Sequence, residues 1–129
     1  MSTNEHNTAN VEIDVSVYNN TLIVGVNGGN ITGAPGETIL WRAAAGAKAF
    51  TLQFFQLAAE PNAKGRREHI DVTELPSWPF TEPPPANGIV GPTRAFRGTL
   101  SAKAQPATAF KYSVAVGNLQ IDPILILDR

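Results

Sequence analysis

The sequence contains no cysteine, and this absence removes more chemistry than any single residue adds. Disulfides, thiolate nucleophiles and every cysteine-ligated metal centre are excluded. The only methionine is Met1, and the only histidines are His6 and His69. Acid–base catalysis and imidazole ligation therefore have few starting points. His69 lies in Arg66-Arg67-Glu68-His69-Ile70-Asp71, where an imidazole and two carboxylates could meet a divalent cation. Two histidines, one of them in a polar N-terminal stretch, make a poor donor set, so a solvated loop is expected there. No Ser/His/Asp order stands out, and Glu12 and Asp14 share one face of a strand that alternation turns toward solvent. The chain is read as non-enzymatic, with no cofactor.

Excess charge is also missing. Ten basic and 11 acidic residues leave a net charge of −1, so no bulk field draws nucleic acid or an anionic membrane. The second half is the more basic, with Lys64, Arg66, Arg67, Arg94, Arg97, Lys103 and Lys111. Glu68, Asp71 and Glu74 interrupt that series, so nucleic acid is not an expected partner. The longest apolar run, Ile124 to Leu127, is far too short to span a bilayer. Residues 1–10 carry no apolar stretch of the secretory kind and read as a polar tail. A cytoplasmic chain is expected, although export by another route would leave the same signature.

What the sequence does contain is alternation. Val11, Ile13, Val15 and Val17 alternate with Glu12, Asp14, Ser16 and Tyr18, the period-two pattern of a half-buried strand. Asn19-Asn20 follows as a tight turn, and Leu22, Val24 and Val26 continue as a second strand. Asn19-Asn20-Thr21 and Asn30-Ile31-Thr32 fit glycosylation sequons but are read as turns. Ile39 and Trp41 define a further inner face. A small-residue loop with Gly46 leads to another, of Phe50, Leu52 and Phe54. Phe96, Gly98 and Leu100 alternate again, as do Phe110, Tyr112 and Val114. The predicted core is Ile39, Trp41, Phe50, Leu52, Phe54, Phe110, Tyr112 and Val114. Ile124 to Leu127 is apolar on both faces, which requires either a cover or an interface.

Residues 58–92 break the pattern. Asp71-Val-Thr-Glu-Leu75 reads as one helical turn, with Asp71 as cap and Pro76 as stop. Ser77 to Asn87 is too rich in proline for helix interior or central strand. A connection this long is unusual inside one domain. Trp78 and Phe80 are common kinds of interface anchor, and Pro83, Pro84 and Pro85 lower the entropy lost on docking. With Arg66 and Arg67 they form the candidate contact set for a partner or ligand. The competing account is that Trp78 and Phe80 plug the protein's own core while the prolines stiffen a cover.

About seven strands with turns between them, in 129 residues, give one all-β domain over residues 11–129: a two-sheet Greek-key sandwich with one long irregular connection at 58–92. Two stretches also resemble a known family. Pro35-Gly-Glu-Thr-Ile-Leu-Trp-Arg42, the Ala/Gly turn and Phe50-Thr-Leu-Gln-Phe54 are similar to the middle of a plastocyanin-type cupredoxin. Phe110-Lys-Tyr-Ser-Val114 and Pro123-Ile-Leu-Ile-Leu127 resemble the closing strands of that family. The resemblance implies its Greek-key fold. Its copper ligands do not carry over: the first histidine position falls near Ala49 and the cysteine position near Val114. Type 1 copper needs a thiolate and two imidazoles. The expectation is a copper-free, cupredoxin-like module that binds a protein partner, itself included. The alternative is a small-ligand or carbohydrate-binding sandwich using Trp78, Phe80 and Tyr18 as stacking rings.

Overall fold

The computed structural model describes residues 10–25, 27–57, 63–66, 69–92, 94–104 and 109–128. Most of the polar tail, Val26, Arg67 and Glu68 lie outside these residues. The described residues form eleven strands: β1 (Val11–Tyr18), β2 (Thr21–Val24), β3 (Ile31–Gly33), β4 (Thr38–Ala43), β5 (Phe50–Leu57), β6 (His69–Asp71), β7 (Ile89–Val90), β8 (Ala95–Thr99), β9 (Ala109–Val116), β10 (Leu119–Ile121) and β11 (Ile124–Leu127). They form a four-stranded sheet in the order β2-β1-β4-β8 and a seven-stranded sheet in the order β3-β11-β9-β5-β6. In the second sheet β10 also pairs with β9, and β7 with β5. The protein is an all-β sandwich of two sheets.

The alternation read from the sequence sets the inner faces. Ile13, Val15, Ile39, Trp41 and Phe96 point inward from the first sheet; Phe50, Leu52, Phe54, Phe110, Tyr112, Val114, Leu125 and Leu127 do so from the second. The chain passes between sheets at β2/β3, β3/β4, β4/β5, β7/β8 and β8/β9. As a result β1 pairs in parallel with β4, and β3 with β11. The small-residue loop after β4 is therefore a crossover from one sheet to the other and not a hairpin. Eleven strands replace the seven or so expected because the second and the last are each split in two and two short strands, β6 and β7, lie in the long connection. β2 and β3 are separated by Gly25 to Asn30, and β10 and β11 by Asp122-Pro123, where Tyr112 N–H still bonds to Pro123 O at 2.9 Å.

Gly29 shows why the first interruption is needed. Its φ is +87°, and a Cβ there would stand 2.7 Å from Tyr112 Oη and 2.8 Å from Val24 Cγ1. Only glycine combines that backbone with that approach. The space is used by the Tyr112 hydroxyl, which donates to Gly29 O. Burial pushes the Tyr112 phenol above its ordinary range. Trp41 Nε1, buried without an acceptor of good geometry, leans on the same hydroxyl and pulls weakly the other way.

Asn10, the last residue of the tail as drawn from sequence, is tied down. Its Oδ1 accepts from Thr38 N at 2.8 Å, and its own N–H reaches Thr38 Oγ1 at 3.1 Å. On the outer face of the first sheet Arg42 pairs with Asp14 at 2.7 Å and with Glu12 at 2.9 Å. All three side chains are well exposed, so solvent screens both pairs and each contributes little to stability.

Trp41 has no exposed surface and sits among Tyr112, Phe54, Phe80 and Phe96, with ring centroids 5.4, 5.6, 5.7 and 5.9 Å away. Truncating a buried aromatic side chain leaves a cavity on top of the lost transfer energy. Trp41→Ala is expected to lower stability by about 3–5 kcal/mol in a denaturant titration. A loss below about 1 kcal/mol would contradict the packing described here.

Candidate functional site

The long connection is more ordered than its composition suggests. β6 and β7 both lie within it, and both pair with the outer edge of β5: Phe55 with Asp71 and Leu57 with His69 at one end, Phe50 with Val90 at the other. The expected helical turn after Asp71 is absent. Asp71 Oδ1 instead accepts from Thr73 N at 2.9 Å and from Thr73 Oγ1 at 2.6 Å, and successive turns follow through Leu75 and Trp78. The Asp71 side chain stabilises a turn two residues on, and the chain turns again before a helix can form. The hydroxyl and N–H of Thr73 hold the Asp71 carboxyl below its usual range.

Phe80 does not present a ring to a partner. It is 4% exposed, bridges to Leu100 and packs edge-on against Phe54 and Phe96. Trp78 is half-buried against Phe54, and its Nε1 donates to Glu82 O at 2.8 Å. The two rings are inclined at 72°, so they form no flat platform, and Tyr18 stands apart on β1. Pro83 is exposed, while Pro84 and Pro85 are half-buried beside Trp78 and Gly88, walling a cavity of about 400 Å³ over β5. Arg66 lies exposed in the turn at 63–66, far along the chain from this wall, and Arg67 lies outside the described residues. The predicted contact set is thus divided between a core plug and a surface of prolines.

The connection also covers the Thr99 end of the outer edge of β8. Thr81 N–H bonds to Thr99 O at 2.9 Å, and the Glu82 carboxylate accepts from Thr99 N at 2.6 Å and Thr99 Oγ1 at 2.7 Å. Desolvation pushes the Glu82 carboxyl up, but the Thr99 N–H and hydroxyl outweigh it and hold the group below its ordinary value. Gly98 lets the plug approach: a Cβ there would stand 2.7 Å from Phe80 Cγ.

The outer face of the second sheet is the less expected feature. β11 is covered on its inner side, where Leu125 and Leu127 are buried, but Ile124 and Ile126 are 43% and 38% exposed. The long connection does not cover them. In register beside them run Lys111 and Ala109 of β9, then Phe55 of β5, with Asp71 and His69 on β6. Asp122 stands next to this row, bonded to Ser113 Oγ at 2.7 Å and Gln120 Nε2 at 2.9 Å. Its pKa is lowered, most by Gln120, with Lys111 and His69 adding favourable charge. Among the described residues no three His, Asp or Glu side chains gather as a metal site, and His69 lies against Phe55 with centroids 6.2 Å apart. Among these residues no helix is long and apolar enough to cross a membrane.

Fold and surface together define a two-sheet β-sandwich with an apolar, mixed-charge outer face. A scan against protein-family models, a search of curated proteins and a search of solved structures each returned no match for the chain.

Two outcomes follow from the loop. Gly98→Ala must displace the Phe80 ring and is expected to cost about 1–3 kcal/mol by chemical denaturation. Glu82, Asp71 and Asp122 all have lowered folded pKa values, so each contributes stability that is complete above its unfolded pKa. That stability is lost as pH falls through the folded value. The unfolding midpoint should therefore drop below about pH 4.5, and Glu82→Gln should drop less steeply over that interval. Equal slopes for the two proteins would show that the Thr99 bonds do not stabilise the carboxylate.

Proposed function

We propose that the chain is a non-enzymatic self-association module on a copper-free, cupredoxin-like sandwich. The observation that carries the reading is the exposed pair Ile124 and Ile126 on a strand whose alternate residues hold the core. Isolated exposed hydrophobics are ordinary, but here Ile126 is in register with Ala109, and Ile124 with Lys111, beyond which lies Phe55. The occupant is a second copy of the same face. That face carries both signs, Lys111 beside Asp71 and Asp122, so it can meet itself with opposite charges facing one another.

The size of the face sets the strength. β9 has eight residues, which at about 3.4 Å each extend about 27 Å. Five strands at about 4.8 Å spacing extend about 20 Å across. The resulting area, about 500 Å², is below the roughly 800 Å² per partner of a standard interface. The dimer is accordingly weak, in the micromolar range or above.

The cupredoxin-like reading rests on the sequence resemblance and is supported by the two-sheet order with its repeated crossovers. Val114, at the family's cysteine position, is fully buried, and Ala49, near its histidine position, ends the crossover loop before β5. A thiolate is unavailable anywhere in the chain.

Sedimentation velocity from about 10 to about 500 μM brackets the expected affinity. The average mass should rise with concentration for the native chain. The double variant Ile124→Lys, Ile126→Lys should remain monomeric with stability changed by about 0.5 kcal/mol or less per site, since both side chains point outward. A native chain that stays monomeric throughout, or a variant that associates equally well, would refute the proposal.

A further inference from the structure

At one pole of the sandwich three turns distant in sequence line an open pocket of about 580 Å³. This lies within the size range of small-molecule sites, about 300–1,000 Å³. The first wall is the β1–β2 turn, Asn19-Asn20, with φ of 49° and 59°, the two-residue hairpin geometry that asparagine tolerates. The second is the β9–β10 turn, where Gly117 has φ of 58°. The third is the crossover after β4, pinned by Ala44 N–H to Val15 O at 2.9 Å and closed by Ala47 N–H to Ala44 O at 2.8 Å. The walls are therefore formed before any ligand arrives, which reduces the entropy lost on binding.

The lining is mixed, nearly as polar as it is apolar. Val15, Val17, Val116 and Leu119 supply an apolar floor, and Asn20 and Asn118 supply amides at the rim. Lys48 is the only charged residue in the lining, with no carboxylate opposite it. Among the described residues Lys48 forms no ion pair. A cation beside valine and leucine side chains, with neutral donors next to it, suits one kind of occupant. We infer that this cavity binds a small carboxylate with an apolar body, the carboxylate at Lys48 and the body on the valine and leucine floor. The site is separate from the isoleucine face and does not rest on self-association.

The test is a titration of the full-length, isotope-labelled protein with octanoate, followed by amide chemical shifts, with 1-octanol as the uncharged counterpart. Saturable shifts are expected at residues 15–20, 44–48 and 116–119. Octanoate should bind more tightly than octanol. Lys48→Ala should weaken octanoate by about threefold to fivefold, the scale of one exposed charge pair, and leave octanol unchanged, while Lys48→Arg retains binding. Lys48 is exposed, so the variants should fold as the native chain does. The inference is overturned by absence of saturable shifts, by shifts located at Ile124 and Ile126 instead, by equal affinity for the two probes, or by a Lys48→Ala variant that binds octanoate as the native chain does.

Discussion

The indole of Trp41 is the contact on which the two sheets depend. It starts on β4 of the first sheet and meets Phe54 and Tyr112 from the second. It also meets Phe80 from the long connection, so one side chain joins three parts of the chain that are far apart in sequence. Edge-to-face packing of this kind adds about 0.5–1.5 kcal/mol per pair beyond the area buried. The cost is an indole N–H without a proper acceptor, the sole buried side-chain polar atom left unsatisfied among the described residues. The cluster tolerates it because the rings around it cannot move apart without opening both sheets.

Much of the fold is legible in the sequence because period-two alternation is a direct consequence of strand geometry. β1, β4, β5 and β9 are long enough for the period to repeat, and their inner residues follow from it. β6, β7 and β3 have three residues or fewer, and no period can be read from so few. Their pairing is set by what β5 and β11 leave open. The 58–92 connection therefore looked irregular although parts of it are sheet. Val72, fully buried directly after β6, is hidden for the same reason.

The surfaces were legible to different degrees. The apolar run of β11 announced two apolar faces, and the open one is where the run predicted a cover or an interface. The aromatic loop was ambiguous in sequence, since a tryptophan and a phenylalanine among prolines suit a plug as well as a platform. Burial assigns Phe80 to the plug. The polar cavity wall could not have been foreseen. Asn20, Lys48 and Asn118 are separated by tens of residues, and only the crossovers between sheets bring their turns to the same end.

The cover over β8 bears on how any association would end. A bare strand edge recruits another strand, and that one exposes a new edge, so growth has no natural stop. Here Thr81 and Glu82 occupy the Thr99 end of β8, and the other strands paired on one side only, β2, β3, β6, β7 and β10, are four residues or fewer. Stacking of one face on its twin consumes both faces at once and leaves nothing for a third copy. If the chain self-associates as proposed, this architecture favours finite pairs over filaments, and a rise in concentration would fill pairs instead of seeding a fibre.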